Sequence, residues 1–114
     1  MRSIDGTSVI DHTCARRMTE VARTFAAREK LPPLVDRALT QMARELLLAQ
    51  SSDWAFLMKT GTARNYATRR TKDHVLRFTR LYDQVRAELV DEDFLANCEW
   101  RDNLFRKLDW RLYA

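Results

Sequence analysis

Glycine and proline are scarce in this sequence, which contains only two residues of each type among 114. Tight turns depend on these residues, because glycine accepts positive φ angles and proline fixes φ at the first central position of many turns. A fold made of many short strands needs many such turns, whereas a bundle of long helices needs few. The scarcity therefore predicts an all-α fold.

Apolar residues recur at three- and four-residue steps along four segments, which is the spacing that gives a helix one buried face. These segments predict helices from Ser8 to Arg28, from Pro33 to Gln50, from Ala63 to Leu89 and from Glu92 to Arg101. The second segment is apolar around much of its surface, so we expect it at the centre of the domain. A chain of this length can bury a core of its own. The sequence thus predicts a single helical bundle of four main helices over residues 1–114.

Polar residues at the segment boundaries predict helix caps, since a side-chain oxygen can accept hydrogen bonds from the first N–H groups of a helix. Ser8 or Asp11 would cap the first helix, Thr62 the third and Asp91 the fourth. The residues after the fourth helix are rich in aromatic side chains, and we expect three of them to dock on another part of the protein. They are Phe105, Trp110 and Tyr113.

Several classes of protein and site are excluded by the sequence. The first residues, MRSIDGTS, lack the apolar run of a secretory signal, and no apolar run approaches the ~20 residues that span a bilayer. Cys14 and Cys98 have no metal-binding companions, so we expect reduced thiols in the core and a cytoplasmic location. Two glycines cannot build a dinucleotide or phosphate loop, and His12 and His74 lack zinc-site spacing. We therefore expect no cofactor, no metal and no membrane partner.

The stretch QSSDWAF (50–56) places four polar residues between two apolar runs. One interpretation is a joint between helices, in which a serine caps a short helix 54–58, Asp53 lies in its first turn and Trp54 is buried. The other is the edge of a carbohydrate site. There Asp53 would accept hydrogen bonds from sugar hydroxyls, and Trp54 would cover the apolar face of a sugar ring. Spacing alone favours the joint.

Basic residues are concentrated between Lys59 and Arg86, where eight Lys or Arg side chains accompany two aspartates. Aromatic residues interleave with them, as they do on nucleic-acid-binding surfaces. The positive charges scatter around the predicted helix, however, and this suits a solvated outer face better than one phosphate track. A basic nucleic-acid-binding module that uses the helix from Arg64 to Arg86 stays open as the alternative function.

Two runs of the sequence resemble a known family. Residues 43–82 read ARELLLAQSSDWAFLMKTGTARNYATRRTKDHVLRFTRLY, and residues 101–114 read RDNLFRKLDWRLYA. The combination of S-D-W, T-G and the basic R-R-T-K-x-H segment resembles the C-terminal helical domain of glycoside hydrolase family 57 1,4-alpha-glucan branching enzymes. A weaker likeness extends over residues 8–42.

The resemblance implies what such a domain does. In that family an α-1,4 bond of a glucan is cleaved through a covalent glycosyl-enzyme intermediate, and the chain is passed to a 6-hydroxyl as a branch in glycogen biosynthesis. A glutamate nucleophile and an aspartate acid/base perform the reaction. Both belong to an N-terminal β/α barrel that these 114 residues do not contain. We therefore assign no catalytic residue and expect a domain that covers the barrel's cleft without turning over substrate alone.

The resemblance also implies the substrate contacts. The aspartate of S-D-W maps to Asp53, the first candidate to touch sugar, and Trp54 supports it. The residue after T-G maps to Thr62, a shorter donor than the glutamine that the family often carries there. The implied partners are an α-1,4-glucan such as amylose or glycogen and the catalytic barrel, as a domain or a subunit. Nucleic acid is the less favoured partner.

Overall fold

The computed structural model describes the backbone of residues 6–58 and 62–114, and the side chains of residues 12–52 and 69–114. Four α-helices form there, followed by a short 3-10 helix at Trp110–Tyr113. The α-helices are α1 (Gly6–Ala26), α2 (Pro33–Met58), α3 (Thr62–Ala87) and α4 (Glu92–Arg101). The described ranges contain no strand. The prediction of an all-α bundle with four main helices is confirmed.

The central position predicted for the second helix is confirmed. α2 packs along α3, and α1, α4 and the 3-10 helix also contact it. It begins at Pro33, where a proline costs no hydrogen bond because the first N–H groups of a helix have no partner within the helix. Its buried apolar residues lie on every side that faces another helix. They are Val35, Ala38, Leu39, Met42, Ala43, Leu46, Leu48 and Ala49.

The joint predicted within QSSDWAF is wrong, because α2 continues without interruption to Met58. The polar residues 50–53 are therefore an interior turn of a long helix, and no serine caps a separate helix 54–58. Serine and aspartate cost a helix only about 0.5 kcal/mol each relative to alanine. Neither glycine nor proline occurs in this part of α2 to break it. Continuing the hydrogen-bonded ladder thus outweighs the weak preference of these residues for caps.

Two further boundary predictions are corrected at the first helix. α1 begins at Gly6, so Ser8 and Asp11 lie inside the helix and neither is its cap. The helix also ends at Ala26, before the predicted Arg28. Its predicted apolar face is confirmed within the described side chains. The residues buried there are Cys14, Met18, Val21, Ala22 and Phe25.

The end of α3 differs from its prediction because of one backbone conformation. The helix stops at Ala87, and Glu88 takes a left-handed φ of 56°. The N–H of Leu89 then donates to the carbonyl of Gln84 at 3.0 Å, a typical left-handed helix termination. Leu89, the predicted last residue of this helix, lies beyond it and is 77% exposed. Because Thr62 is the first residue of α3 and the residue before it lies outside the described ranges, its capping role stays a prediction.

The cap and the apolar face predicted for α4 are confirmed. The Asp91 side chain accepts hydrogen bonds from the backbone N–H groups of Asp93 and Phe94 at 3.0 and 3.2 Å. Leu95 and Cys98 are buried, and Phe94 packs against the core while half-buried. The helix is thus fixed at its first turn and along its inner face.

Docking of the C-terminal segment is confirmed for two of its three predicted aromatic residues. Trp110 is 1% exposed, and its indole N–H donates to Asp36 Oδ1 at 2.9 Å. Tyr113 packs against the core while half-buried. Phe105 is 47% exposed and has a left-handed φ of 52°, so it is not buried in this bundle and its docking stays a prediction. None of the helices in the described part of the chain is long and apolar enough to cross a membrane.

Candidate functional site

The three residues predicted to contact glucan lie at one end of the α2–α3 pair. Asp53 and Trp54 belong to the last turns of α2, and Thr62 begins α3. Only three residues separate α2 from α3, and the two helices pack side by side along much of their length. The two helices therefore run antiparallel. The side chains of Asp53, Trp54 and Thr62 lie outside those that the structure describes. Their contacts with sugar therefore stay predictions.

A buried cluster of ionisable side chains lies where α2, α3 and the end of α4 meet. His74 Nδ1 is 2.8 Å from Glu45 Oε1 and 3.5 Å from Asp102 Oδ2. The side chains of Glu45, His74 and Asp102 are 0%, 2% and 8% exposed. Water cannot replace these contacts at such burial, so the cluster must satisfy its own hydrogen bonds.

Neighbouring side chains complete this cluster. Gln41 Nε2 donates to Glu45 Oε2 at 2.9 Å and to the Cys98 carbonyl at 3.2 Å, which links α2 to the last turn of α4. Arg77 Nη1 donates to Asp102 Oδ2 at 2.9 Å. We call Gln41, Glu45, His74, Arg77 and Asp102 the buried polar network. It connects three helices through hydrogen bonds that are worth more in a low-dielectric interior than at the surface.

Burial shifts the acid–base behaviour of this network. Desolvation is the largest cause that raises the pKa of Glu45 from 4.5 to about 7, and Asp102 raises it further. Hydrogen bonds from His74 and Gln41 stabilise the carboxylate and lower the pKa in part. Near neutral pH, Glu45 is therefore divided between its protonated and ionised forms. Burial also raises the pKa of the Cys98 thiol to about 12, so this residue stays an unreactive thiol.

Metal binding is the other chemistry that such a cluster could support. Glu45, His74 and Asp102 each offer a ligand atom, and these atoms lie within 4.8 Å of one another. Two guanidinium groups lie against the same side chains, because Arg77 donates to Asp102 and Arg70 Nη2 is 3.3 Å from His74 Nε2. Both would repel a divalent cation. The arrangement therefore fits a hydrogen-bonded structural network better than a metal centre.

Sequence reasoning missed this network, although one signal was available. Glu45 lies on the same helix face as Met42 and Ala49, which are fully buried. A carboxylate on the apolar stripe of a central helix requires a buried donor. His74 was interpreted as a lone histidine in a structural or surface role, and it lies 29 residues further along the chain. Local spacing cannot predict a pairing at that separation.

A polar pocket of about 390 Å³ lies beside the network, between α3 and the end of α4. It is lined by Arg70, Asp73, His74, Arg77, Trp100, Arg101 and Asp102. Trp100 is 78% exposed at its rim. The sequence did not predict this pocket, because α3 and α4 contribute its residues from separate parts of the chain; Arg70 and Arg77 were considered only as part of the basic stretch of α3.

Comparison with a solved structure defines the class of this fold. The chain is similar, with a TM-score of 0.85 and 41% sequence identity, to part of the alpha-amylase AmyC from Thermotoga maritima. The similarity covers all of this chain and 22% of that one. The protein is thus a helical domain of the kind found within that larger chain.

Sequence comparison identifies the family. Residues 11–113 match the family described as 1,4-alpha-glucan branching enzyme, C-terminal. A 1,4-alpha-glucan branching enzyme of Thermococcus kodakarensis is 39% identical over 94 residues, which cover 79% of this chain and 14% of that protein. The chain belongs to the family of 1,4-alpha-glucan branching enzyme C-terminal domains. It spans about one seventh of the length of that relative.

The alternative function, a nucleic-acid-binding module, is not supported. Basic residues of α3 make contacts within the domain: Arg77 pairs with Asp102, and the Arg80 guanidinium lies 4.4 Å from the centre of the Phe94 ring. Arg86 Nη1 donates to the Tyr82 hydroxyl at 3.3 Å. These side chains stabilise the bundle from its surface and form no single track for phosphates.

Proposed function

We propose that this chain is the substrate-binding C-terminal domain of a glycoside hydrolase family 57 branching enzyme that acts in glycogen biosynthesis. The domain covers the cleft of a catalytic barrel and holds an α-1,4-glucan while a segment of it is transferred to a 6-hydroxyl. The family match supports the class of enzyme. The observation that supports the role of the domain is that Asp53 and Trp54 belong to the last turns of α2 and Thr62 begins α3, at the same end of the α2–α3 pair.

The length of the two helices suits a substrate contact at their joined end. Each of these helices has 26 residues and is about 39 Å long. Among the described side chains, Glu45 of α2 and His74 of α3 hold the pair together near its middle. In this proposal a neighbouring barrel approaches the end of the pair that carries Asp53, Trp54 and Thr62.

Each of the three residues supplies a different contact with sugar. The Asp53 carboxylate accepts short hydrogen bonds from glucose hydroxyls, and the Trp54 indole covers the apolar C–H face of a ring. The Thr62 hydroxyl both donates and accepts. A flat aromatic surface beside a carboxylate matches a pyranose, which has an apolar face and a hydroxyl edge.

The buried polar network holds the two helices of this pair together. His74 of α3 donates to Glu45 of α2, and Gln41 ties α2 to the end of α4. Fixing both helices at mid-length limits how far their joined ends can move. A rigid contact loses less conformational entropy when the substrate binds.

Catalysis belongs to the barrel in this proposal. Its two carboxylates cleave and transfer the glucan, so the 114-residue chain alone has no branching activity. Incubating the isolated chain with amylose should leave the iodine spectrum unchanged, and a shift would contradict this division of roles. A cytoplasmic location also remains part of the proposal, because buried thiols such as Cys14 and Cys98 suit a reducing compartment.

Asp53→Asn in the complete enzyme tests the role of the domain. The variant keeps the size of the side chain and removes the charge that strengthens its hydrogen bonds. A charge-assisted hydrogen bond is worth about 1.5–3 kcal/mol and the neutral bond that Asn can still accept about 0.5–1.5 kcal/mol, so kcat/KM for amylose should fall roughly 5- to 12-fold. Asp83→Asn is the matched control, since Asp83 is an exposed aspartate of α3. Equal kcat/KM values for the two variants would refute a glucan contact by Asp53.

A further inference from the structure

Trp100 is the most exposed aromatic residue among the described side chains. It lies at the end of α4 with 78% of its surface accessible, while Trp110 is 1% exposed. An indole that stays in water gives up the stabilisation that burial would provide. Its position at the rim of the polar pocket between α3 and α4 therefore suggests a ligand.

The charged side chains of this pocket are held by other residues. Arg77 is fixed by its ion pair with Asp102 at 2.9 Å, and Arg101 Nε donates to Asn97 Oδ1 at 2.9 Å. Arg70 lies 3.3 Å from His74 Nε2. Because these contacts fix the side chains before a ligand arrives, binding costs less conformational entropy. The pocket thus presents arginine donors that already contact other residues of the domain.

We propose that this pocket is a second glucan-binding site, in which a glucose ring stacks on Trp100 and its hydroxyls bond to the charged groups behind it. The substrate class rests on the proposed function. Asp73 and Asp102 supply acceptors, and the arginines supply donors, as the hydroxyls of a neutral sugar require. Because three arginines face two aspartates in the lining, inorganic phosphate is the competing ligand that the experiment must include. The pocket volume of about 390 Å³ admits one or two sugar rings, with the chain continuing over Trp100.

The second site is separate from the one at the α2–α3 end. Along α3, Arg70 and Arg77 are about 12 and 22 Å from Thr62 at 1.5 Å per residue. A glucan can therefore contact both sites at once, or two chains can occupy them. Two weak contacts on one polymer raise its apparent affinity, because the second binding event becomes intramolecular.

Binding of maltoheptaose to the 114-residue chain, followed by isothermal titration calorimetry, tests this proposal. The experiment uses the Asp53→Asn background to weaken the first site. Binding should persist there and should weaken at least about tenfold when Trp100→Ala is added, a change of 1.4 kcal/mol. Trp100→Phe should restore part of it, because a flat ring is retained. Leu112→Ala is the matched control, since Leu112 is 79% exposed and does not line the pocket.

The outcomes separate this proposal from the proposed function. If Asp53→Asn alone abolishes binding, the second site is refuted while the glucan contact by Asp53 is supported. If the Trp100→Ala and Leu112→Ala variants bind equally well, Trp100 does not contact glucan and the proposal fails. Competition by inorganic phosphate in the millimolar range would also overturn it, in favour of an anion site. Far-ultraviolet circular dichroism of each variant checks that the fold is kept.

Discussion

Replacing His74 by leucine should destabilise the domain strongly, and more at pH 8 than at pH 5. Leucine has a similar volume, so the change leaves little cavity and removes mainly the hydrogen bond to Glu45. Glu45 would keep Gln41 as a donor on Oε2, while Oε1 would lose its partner at 2.8 Å. Since the Glu45 side chain is 0% exposed, water cannot replace that partner.

The size of the effect follows from burial and from the proton on Glu45. Leaving a buried carboxylate charge without its partner costs about 3–5 kcal/mol, and we expect this cost at pH 8, where Glu45 with a pKa of about 7 is mostly ionised. At pH 5 Glu45 is protonated, and the loss of unfolding free energy falls to about 1–2 kcal/mol, the contribution of one buried hydrogen bond. A domain of this size has an unfolding entropy of about 0.24 kcal/mol per kelvin, so the pH 8 loss lowers Tm by about 12–20 °C.

Urea and thermal unfolding, followed by circular dichroism at both pH values, measure this effect. His12→Leu is the matched control, because His12 is an exposed histidine of α1, and its effect should stay within about 0.5 kcal/mol. His74→Asn should recover part of the stability, since its amide can donate to Glu45 in place of Nδ1. A His74→Leu variant as stable as wild type at pH 8, or equally destabilised at both pH values, would refute the reasoning.

Three further perturbations probe the cap, the docked terminus and the titration of the network. Asp91→Ala should lower the free energy of unfolding by about 1 kcal/mol and Tm by roughly 4 °C, because two N–H groups of α4 lose their acceptor. No change in Tm would mean that water caps the helix equally well. Trp110→Phe should lower the free energy of unfolding, measured with urea, by about 1–2 kcal/mol, since it removes the hydrogen bond to Asp36. The pKa of Glu45 is raised in the folded state, so the native protein binds more protons between pH 4.5 and 7. The unfolding free energy of the wild type, minus that of Glu45→Gln, should therefore fall as pH rises through this window. A difference that stays constant would contradict the raised pKa.

Helix positions and most of the core could be predicted from the sequence because both depend on local periodicity. The faces of α1, α2 and α4 follow from apolar spacing, and the Asp91 cap follows from its position before an acidic first turn. Boundaries were less predictable where two weak preferences compete. In residues 50–53 the cap preference of serine and aspartate lost to helix continuation. At Glu88 a left-handed residue ended α3 without glycine.

The candidate site was predictable only in part, because its chemistry joins distant segments. The family resemblance led to Asp53, Trp54 and Thr62, whereas composition and spacing alone favoured a helix cap there. The pairing of Glu45 with His74 could not be predicted from local spacing. The pocket beside Trp100 depends on how α3 and α4 pack, which the periodicity of each helix does not determine.

A crystal structure of the complete enzyme with a bound maltooligosaccharide is the most direct test of a glucan contact at the α2–α3 end. We predict that a carboxylate oxygen of Asp53 lies about 2.5–3.0 Å from a sugar hydroxyl, the range of charge-assisted hydrogen bonds. The Trp54 ring should lie against a sugar face in the same structure. An oligosaccharide that occupies the catalytic cleft with no atom of Asp53, Trp54 or Thr62 in contact with it would contradict the proposed function.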